Sequence, residues 1–213
     1  SDIHGNLPAL EAVLAAAGPF DELWNLGDIV GYGANPNEVI DVLRTLRPLA
    51  TVSVRGNHDR VCCGLSSAQG FNPVAAQAAA WIERRLTPEN LEWLRALPQG
   101  PLAAGERAMV AHGSPLHEDH YIVSMRDAWT PLQRMATEIT FFGHTHVQGG
   151  FSQQPPEWQE IRPLYQTHDQ AEHYTLDVPQ GTRHLINPGA VGQPRDADWR
   201  AAFALYNTAT GQV

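Results

Sequence analysis

Five short segments hold the residues able to do chemistry. They are Asp2-Ile3-His4-Gly5-Asn6, Gly27-Asp28, Gly56-Asn57-His58-Asp59, His112-Gly113-Ser114-Pro115 and Gly143-His144-Thr145-His146. Together they offer three carboxylates, two amide oxygens and five imidazoles. All are hard or borderline donors suited to divalent cations. A single histidine is more often structural than a ligand, and a single Gly-Asp is no signal. Five such segments in series are a different matter. Two cations about 3.5–4 Å apart can clamp a phosphoryl group together with a bridging hydroxide. Each needs about five or six ligands, with one carboxylate shared. Asp2, His4, Asp28 and His146 supply one site. Asp28, Asn57, His112 and His144 supply the other, with Asp28 bridging. His58 is left without a metal, and a free imidazole there can stabilise or protonate a leaving oxygen. Either Asp59 or Asp28 can accept its other N–H and fix its tautomer. His58 and Asp59 are therefore the candidate catalytic pair.

In type and order these segments resemble the calcineurin-like metallophosphoesterase superfamily, whose pattern runs Asp-x-His, Gly-Asp, Gly-Asn-His-Asp/Glu, His, Gly-His-x-His. The resemblance spans residues 2–146 and extends to Asn187–Arg195, which is similar to a late loop of the small prokaryotic phosphodiesterase-like branch. It implies an α/β fold of four layers, an αββα sandwich with two mixed central sheets flanked by helices. It also implies hydrolysis of phosphomonoesters, phosphodiesters or nucleotides with two divalent metal ions (Mn, Fe, Zn, Ni or Co, with Mn favoured). One departure is informative. In the Ser/Thr protein phosphatases of this superfamily the second motif reads Gly-Asp-x-Val-Asp-Arg-Gly, and its arginine clamps phosphate. Here Tyr32 stands at that position. A monoester dianion would lose a bidentate partner, so the expectation moves to phosphodiester or nucleotide substrates. Tyr32 can stack on a base or donate to phosphate. Asn6 and Arg195 complete the candidate substrate contacts. Two rival readings stand beside this one: a phosphomonoesterase or protein phosphatase, and a non-catalytic scaffold on the same fold. The intact ligand set disfavours the scaffold.

The ligands need strand ends to hold them. The last four segments each follow a short apolar run: Leu23–Leu26, Thr51–Val54, Ala108–Ala111 and Ile139–Phe142. A further run lies at Leu185–Ile186. Between the runs, helices are announced by caps: Asn35-Pro36 before a helix to about Leu46, Asn72-Pro73 before Val74–Leu86, and Thr87-Pro88 before Leu91–Leu97. Leu7–Ala17 has helical apolar spacing and stops at Gly18, and Arg126–Ala136 is a further helix. The alternation predicts a layered α/β fold with polar residues gathered at the carboxyl ends of strands. Residues 151–182, rich in Gln, Pro and His, read as hairpins or loops, with Tyr174–Val178 strand-like.

The chain has 213 residues, enough for one domain over 1–213. It opens on Ser1-Asp2 without a preceding strand and closes in a turn, so a short strand is expected to be missing at each end. The net charge is −9, and all 14 basic residues are arginine. There is no basic run for general nucleic-acid binding, and no stretch of about 18 apolar residues to span a membrane. An acidic balance does not exclude a small anionic substrate, because two cations would offset Asp2 and Asp28. Adjacent Cys62 and Cys63 read as free thiols in a reducing, cytoplasmic compartment. A small phosphoester or nucleotide is thus the expected partner, and the composition leaves oligomerisation open. His117 and His120, near the site in sequence, read as loop or specificity residues, and His168, His173 and His184 receive no chemical role.

Overall fold

The computed structural model describes residues 1–48, 50–154 and 156–213. The helices are α1 (Leu7–Ala17), α2 (Pro36–Thr45), α3 (Asn57–Cys62), α4 (Pro73–Glu83), α5 (Pro88–Arg95) and α6 (Met125–Arg134). The strands are β1 (Glu22–Asn25), β2 (Ala50–Ser53), β3 (Leu102–Ala104), β4 (Ala108–Val110), β5 (Ile139–Phe141), β6 (Gly149–Gln154), β7 (Glu157–Ile161) and β8 (Arg183–Asn187).

The caps read in the sequence start most of the helices. The side chains of Asn72 and Thr87 accept from the N–H groups of Ala75 and Asn90, and Ser124 does the same for Asp127 at the start of α6. Each satisfies an N–H that the first helical turn leaves unpaired. Asn35 precedes α2 as expected, yet its side chain makes no capping bond.

The strands form two sheets. In the smaller, β1 and β2 pair in parallel. The larger is mixed, in the order β3-β4-β5-β8-β6-β7, with β4, β5 and β8 parallel to one another and β3, β6 and β7 antiparallel to their neighbours. Backbone bonds carry the smaller sheet past its named strands. Asp2 N–H donates to the Gly27 carbonyl, and the N–H groups of Val191 and Gly192 donate to Ser1 and Asp2. The first residues are thereby held between two backbone segments.

Three apolar cores separate the layers. One, with Leu10, Val39, Ile40, Ile82 and Leu94, lies among helices α1, α2, α4 and α5. A second joins Leu26 and Val54 of the smaller sheet to Val110, Phe141 and Ile186 of the larger. The third packs Ala128 and Leu132 of α6 against Phe142, Phe151 and Leu185. Neighbours in sequence divide between the last two cores, as Phe141 from Phe142 and Ile186 from Leu185, because side chains alternate faces along a strand. The layering is thus helices, sheet, sheet, helix.

The structure departs from expectation in three places. Tyr174–Val178 is no strand: Leu176 and Val178 pair with the backbone of Val213 and Gly211, and only an isolated bridge forms. The six-residue α3 and the three-residue β3 were not anticipated, being too short to show a period. Between residues 151 and 182 the expected hairpin is present as β6 and β7.

Candidate metal centre

Four of the five ligand segments sit just past a strand's carboxyl end, where an α/β sheet opens its crevice. Asp28 follows β1, Asn57 opens α3 after β2, His112 follows β4, and His144 and His146 follow β5. Asp2 and His4 come from the N-terminal segment, where His4 N–H donates to the Asp28 carbonyl at 3.0 Å. Asp2, His4, Asp28, His112, His144 and His146 are all buried.

The backbone is held in an uncommon state. Asp2, His4, Asp28, His144 and His146 have φ of 53°, 50°, 53°, 68° and 60°. A non-glycine residue there costs about 1–3 kcal/mol and persists only where its surroundings dictate it. Part of that dictation is visible at His144, whose N–H donates to both Asp2 carboxylate oxygens at 3.2 Å. Close approach also restricts Gly56, where a Cβ would stand 2.0 Å from Asp28 Oδ1.

The imidazoles are oriented by carbonyls. Nδ1 of His4 faces the Val30 oxygen at 3.2 Å, Nδ1 of His112 faces Leu26 at 2.8 Å, and Nδ1 of His146 faces Gln193. A nitrogen facing a carbonyl carries the proton, so Nε2 of each ring presents a lone pair. His144 is held the other way: its Nε2 donates to Asp119 at 3.2 Å, which frees Nδ1. The Nε2 atoms of His4 and His146 stand 3.1 Å apart with no proton to share. Asp28 Oδ2 lies 3.6 Å from His4 Nε2 and 3.5 Å from His112 Nε2. Asp2 Oδ1 lies 3.3 Å from His146 Nε2, and Asn57 Oδ1 lies 3.0 Å from His112 Nε2. Acceptors buried against acceptors are costly unless a cation sits among them, so this donor set fits divalent metal ions. It resolves into the two expected groups, Asp2, His4, Asp28 and His146, and Asp28, His112 and His144, with Asp28 common to both; Asn57 adjoins the second.

Protonation follows burial. Burial pushes the Asp28 carboxyl up to about 8, with Asp59 and Asp2 adding to it. Burial holds His4 well below the usual imidazole range and takes His144 down to about 3. For His112 burial acts downward, but the Asp28 and Asp2 carboxylates outweigh it and raise the ring.

The other expected residues divide. His58 lies at the centre, buried, its Nδ1 without a partner, its ring 4.7 Å from Tyr32 and 4.5 Å from Phe71. Asp59 does not hold that ring. As third residue of α3 its carboxylate turns back to accept from Gly56 N–H at 2.9 Å and from Val30 N–H at 3.1 Å, the geometry of a capping box. Asp28 does not hold it either: its Oδ1 accepts from the His58 backbone N–H at 2.9 Å. Asn6 is committed as the cap of α1, accepting from Ala9 N–H at 3.2 Å and donating to Gly192 at 3.1 Å. Tyr32 and Arg195 are brought to one rim, with Arg195 Nη2 3.5 Å from the Tyr32 hydroxyl and the Tyr32 ring 5.0 Å from His4.

Three neighbours went unread in the sequence. Tyr121 stacks on His144 at 3.9 Å, Phe71 packs on His58, and Arg60 grips Asp119 with two bonds of 2.7 Å. Only proximity to His112 pointed to Tyr121.

Fold and site together define a two-sheet α/β protein whose strand ends converge on a His/Asp cluster shaped for metal. The chain belongs to the calcineurin-like phosphoesterase superfamily, whose domain model matches residues 1–211. It is 40% identical to a metallophosphoesterase from Sphaerobacter thermophilus of known crystal structure, with a TM-score of 0.79 over 99% of this chain and 82% of that one. An uncharacterized protein of Methanocaldococcus jannaschii is 33% identical over 97% of this chain and 80% of its own length. A symmetrical bis(5'-nucleosyl)-tetraphosphatase of Glaesserella parasuis is 36% identical over 46% of this chain, and one of Serratia proteamaculans is 28% identical over 52%. The matches span 36% and 40% of those two enzymes. No helix among the described residues is long and apolar enough to cross a membrane.

Proposed function

We propose that this chain, acting over residues 1–213 as one unit, hydrolyses phosphodiesters or small nucleotides with two divalent metal ions. The observation that carries the proposal is the convergence of buried lone pairs on two sides of Asp28. When bound, the two cations activate water at neutral pH and draw charge from the phosphoryl group. The mixed oxygen and imidazole donors suit Mn, Fe, Zn, Ni or Co, with Mn the first to try.

The chain's own residues do the rest. Asp28 sets the spacing of the two sites. Asp2, His4 and His146 hold one, and Asn57, His112 and His144 hold the other. His58, with an unpartnered ring nitrogen, meets the leaving oxygen. Arg195 stands at the rim in no ion pair among the described residues, and its guanidinium receives substrate phosphate. Asp59 and Asn6 act as positioning residues, one fixing the start of α3 and the other the start of α1. The tyrosine in place of a phosphate-clamping arginine supports diesters or nucleotides over monoesters, and the tetraphosphatase relatives support nucleotides. Cys62 and Cys63, buried and unbonded, support a reducing, cytoplasmic setting.

A panel of bis(p-nitrophenyl) phosphate, p-nitrophenyl phosphate and a dinucleoside tetraphosphate, run with Mn, tests this. Diester and nucleotide hydrolysis should exceed monoester hydrolysis. A monoester preference would make the chain a phosphomonoesterase. Silence on all three, with tight binding of a protein partner, would make it a scaffold.

A further inference from the structure

A cavity of about 360 Å³ opens beside His4, and its walls differ in character from the metal centre. Tyr32, Pro8 and Ala34 give it apolar surface, while Asn35 and Gln193 bring amides. No carboxylate or guanidinium lines it. A pocket for phosphate would present cations or forked donors. This one offers an aromatic ring and neutral hydrogen-bonding groups, the chemistry that meets a flat, uncharged heterocycle. Its volume lies at the lower end of the roughly 300–1,000 Å³ usual for small-molecule pockets.

Asn35 sharpens the point. It stands at the N-cap of α2, where asparagine ordinarily gives its oxygen to the helix, yet it makes no capping bond. Its amide keeps both donor and acceptor for something else. Gln193 Oε1 accepts from Arg195 Nη2 at 2.8 Å, leaving the Gln193 amino group to donate. Arg195, close to the Tyr32 hydroxyl, marks where charge begins again, on the side of the metal centre.

We propose that this cavity is a nucleoside subsite: the base lies on Tyr32, Asn35 and Gln193 read its edge, and the attached phosphate points past Arg195 to the metal centre. The assignment rests on the reading of that centre as a nucleotide hydrolase, so the probe is chosen to separate the two. Adenosine carries the base and no phosphate. It should bind the metal-loaded chain saturably in calorimetry and compete with bis(p-nitrophenyl) phosphate, whereas ribose should do neither. Tyr32→Ala should weaken adenosine about tenfold, as loss of a stacking partner does. Tyr32→Phe, which keeps the ring, should restore most of it, and Asn35→Ala should weaken adenosine with the stack intact. In nucleotide hydrolysis the same losses should fall in KM rather than kcat. Diester hydrolysis without saturable adenosine binding would overturn the subsite and leave the hydrolase standing. So would adenosine binding that neither Tyr32→Ala nor Asn35→Ala moves. Tyr32-dependent adenosine binding in a chain that hydrolyses no phosphoester would support the subsite and overturn the hydrolase.

Discussion

His58 differs from the residues around it in what it leaves undone. His4, His112, His144 and His146 each have one ring nitrogen tied to a backbone carbonyl and the other turned to the centre, whereas His58 Nδ1 has no partner. His58→Ala should therefore keep both metals and lower turnover by about 10²–10⁴-fold, the usual yield of an acid–base group. A variant that lost metal but kept its rate per bound metal would make His58 a structural prop. That Asp2, His4, Asp28, His112, His144 and His146 gather in one place was legible in the sequence from type and order: hard donors in series, all but the first segment after an apolar run. The tasks of Asn6 and Asp59 were not legible. Both are decided by where a helix begins, and a cap one residue away redirects a carboxylate from a neighbouring ring to the backbone. Tyr121 and Phe71 reach their histidines through the folded chain, with no local pattern to announce them.

At the level of elements, α3 and the loop after β4 work as a pair. α3 carries Asn57 and His58, and its Arg60 grips Asp119, whose carbonyl in turn holds His144 Nε2. Arg60 also pairs with Glu118, which Arg55 meets at 3.3 Å. Arg60→Met should loosen this loop and weaken metal at the His112 and His144 site by about 10–100-fold, the cost of removing an outer support. Stepwise metal titration should show the site of His4 and His146 less affected. β8 gives an independent test. Burial lowers His184 to about 4, so the unfolded chain takes up a proton near its ordinary pKa of about 6.5 that the fold refuses. The stability that His184 contributes as a neutral ring is complete above that value and is lost as pH falls towards about 4. Urea unfolding of wild type and His184→Gln should diverge across this window, wild type losing more. A constant difference between them would mean that His184 titrates normally. Capped helices were legible because a cap is a local signal. The short β3 and α3 were not, and Tyr174–Val178, with a strand's composition, pairs only with the short segment Gly211–Val213 and forms no more than a bridge.

For the molecule as a whole, the candidate metal centre forms only where the two sheets stack. Asp2, His4, Asp28 and Asn57 come with the smaller sheet, and His112, His144 and His146 with the larger. Cations bound between them would tie the layers together and should raise the melting temperature by mass action. A layered α/β fold was legible from the alternation of apolar runs and capped helices, and the four-layer arrangement from the family resemblance. The strand order was not, because β8 pairs with β5 and β6 across long stretches of chain. Net charge alone does not decide the substrate: a chain of −9 could take an anion if two cations outweighed Asp2 and Asp28. The claim on which the rest depends is a centre of two metals sharing Asp28. Elemental analysis of the Mn-loaded chain, beside an Asp28→Asn variant and with diester hydrolysis followed in both, tests it directly. Two ions per chain, lost together with activity in the variant, is the predicted result; one ion per chain, or a variant that still holds two, would contradict it.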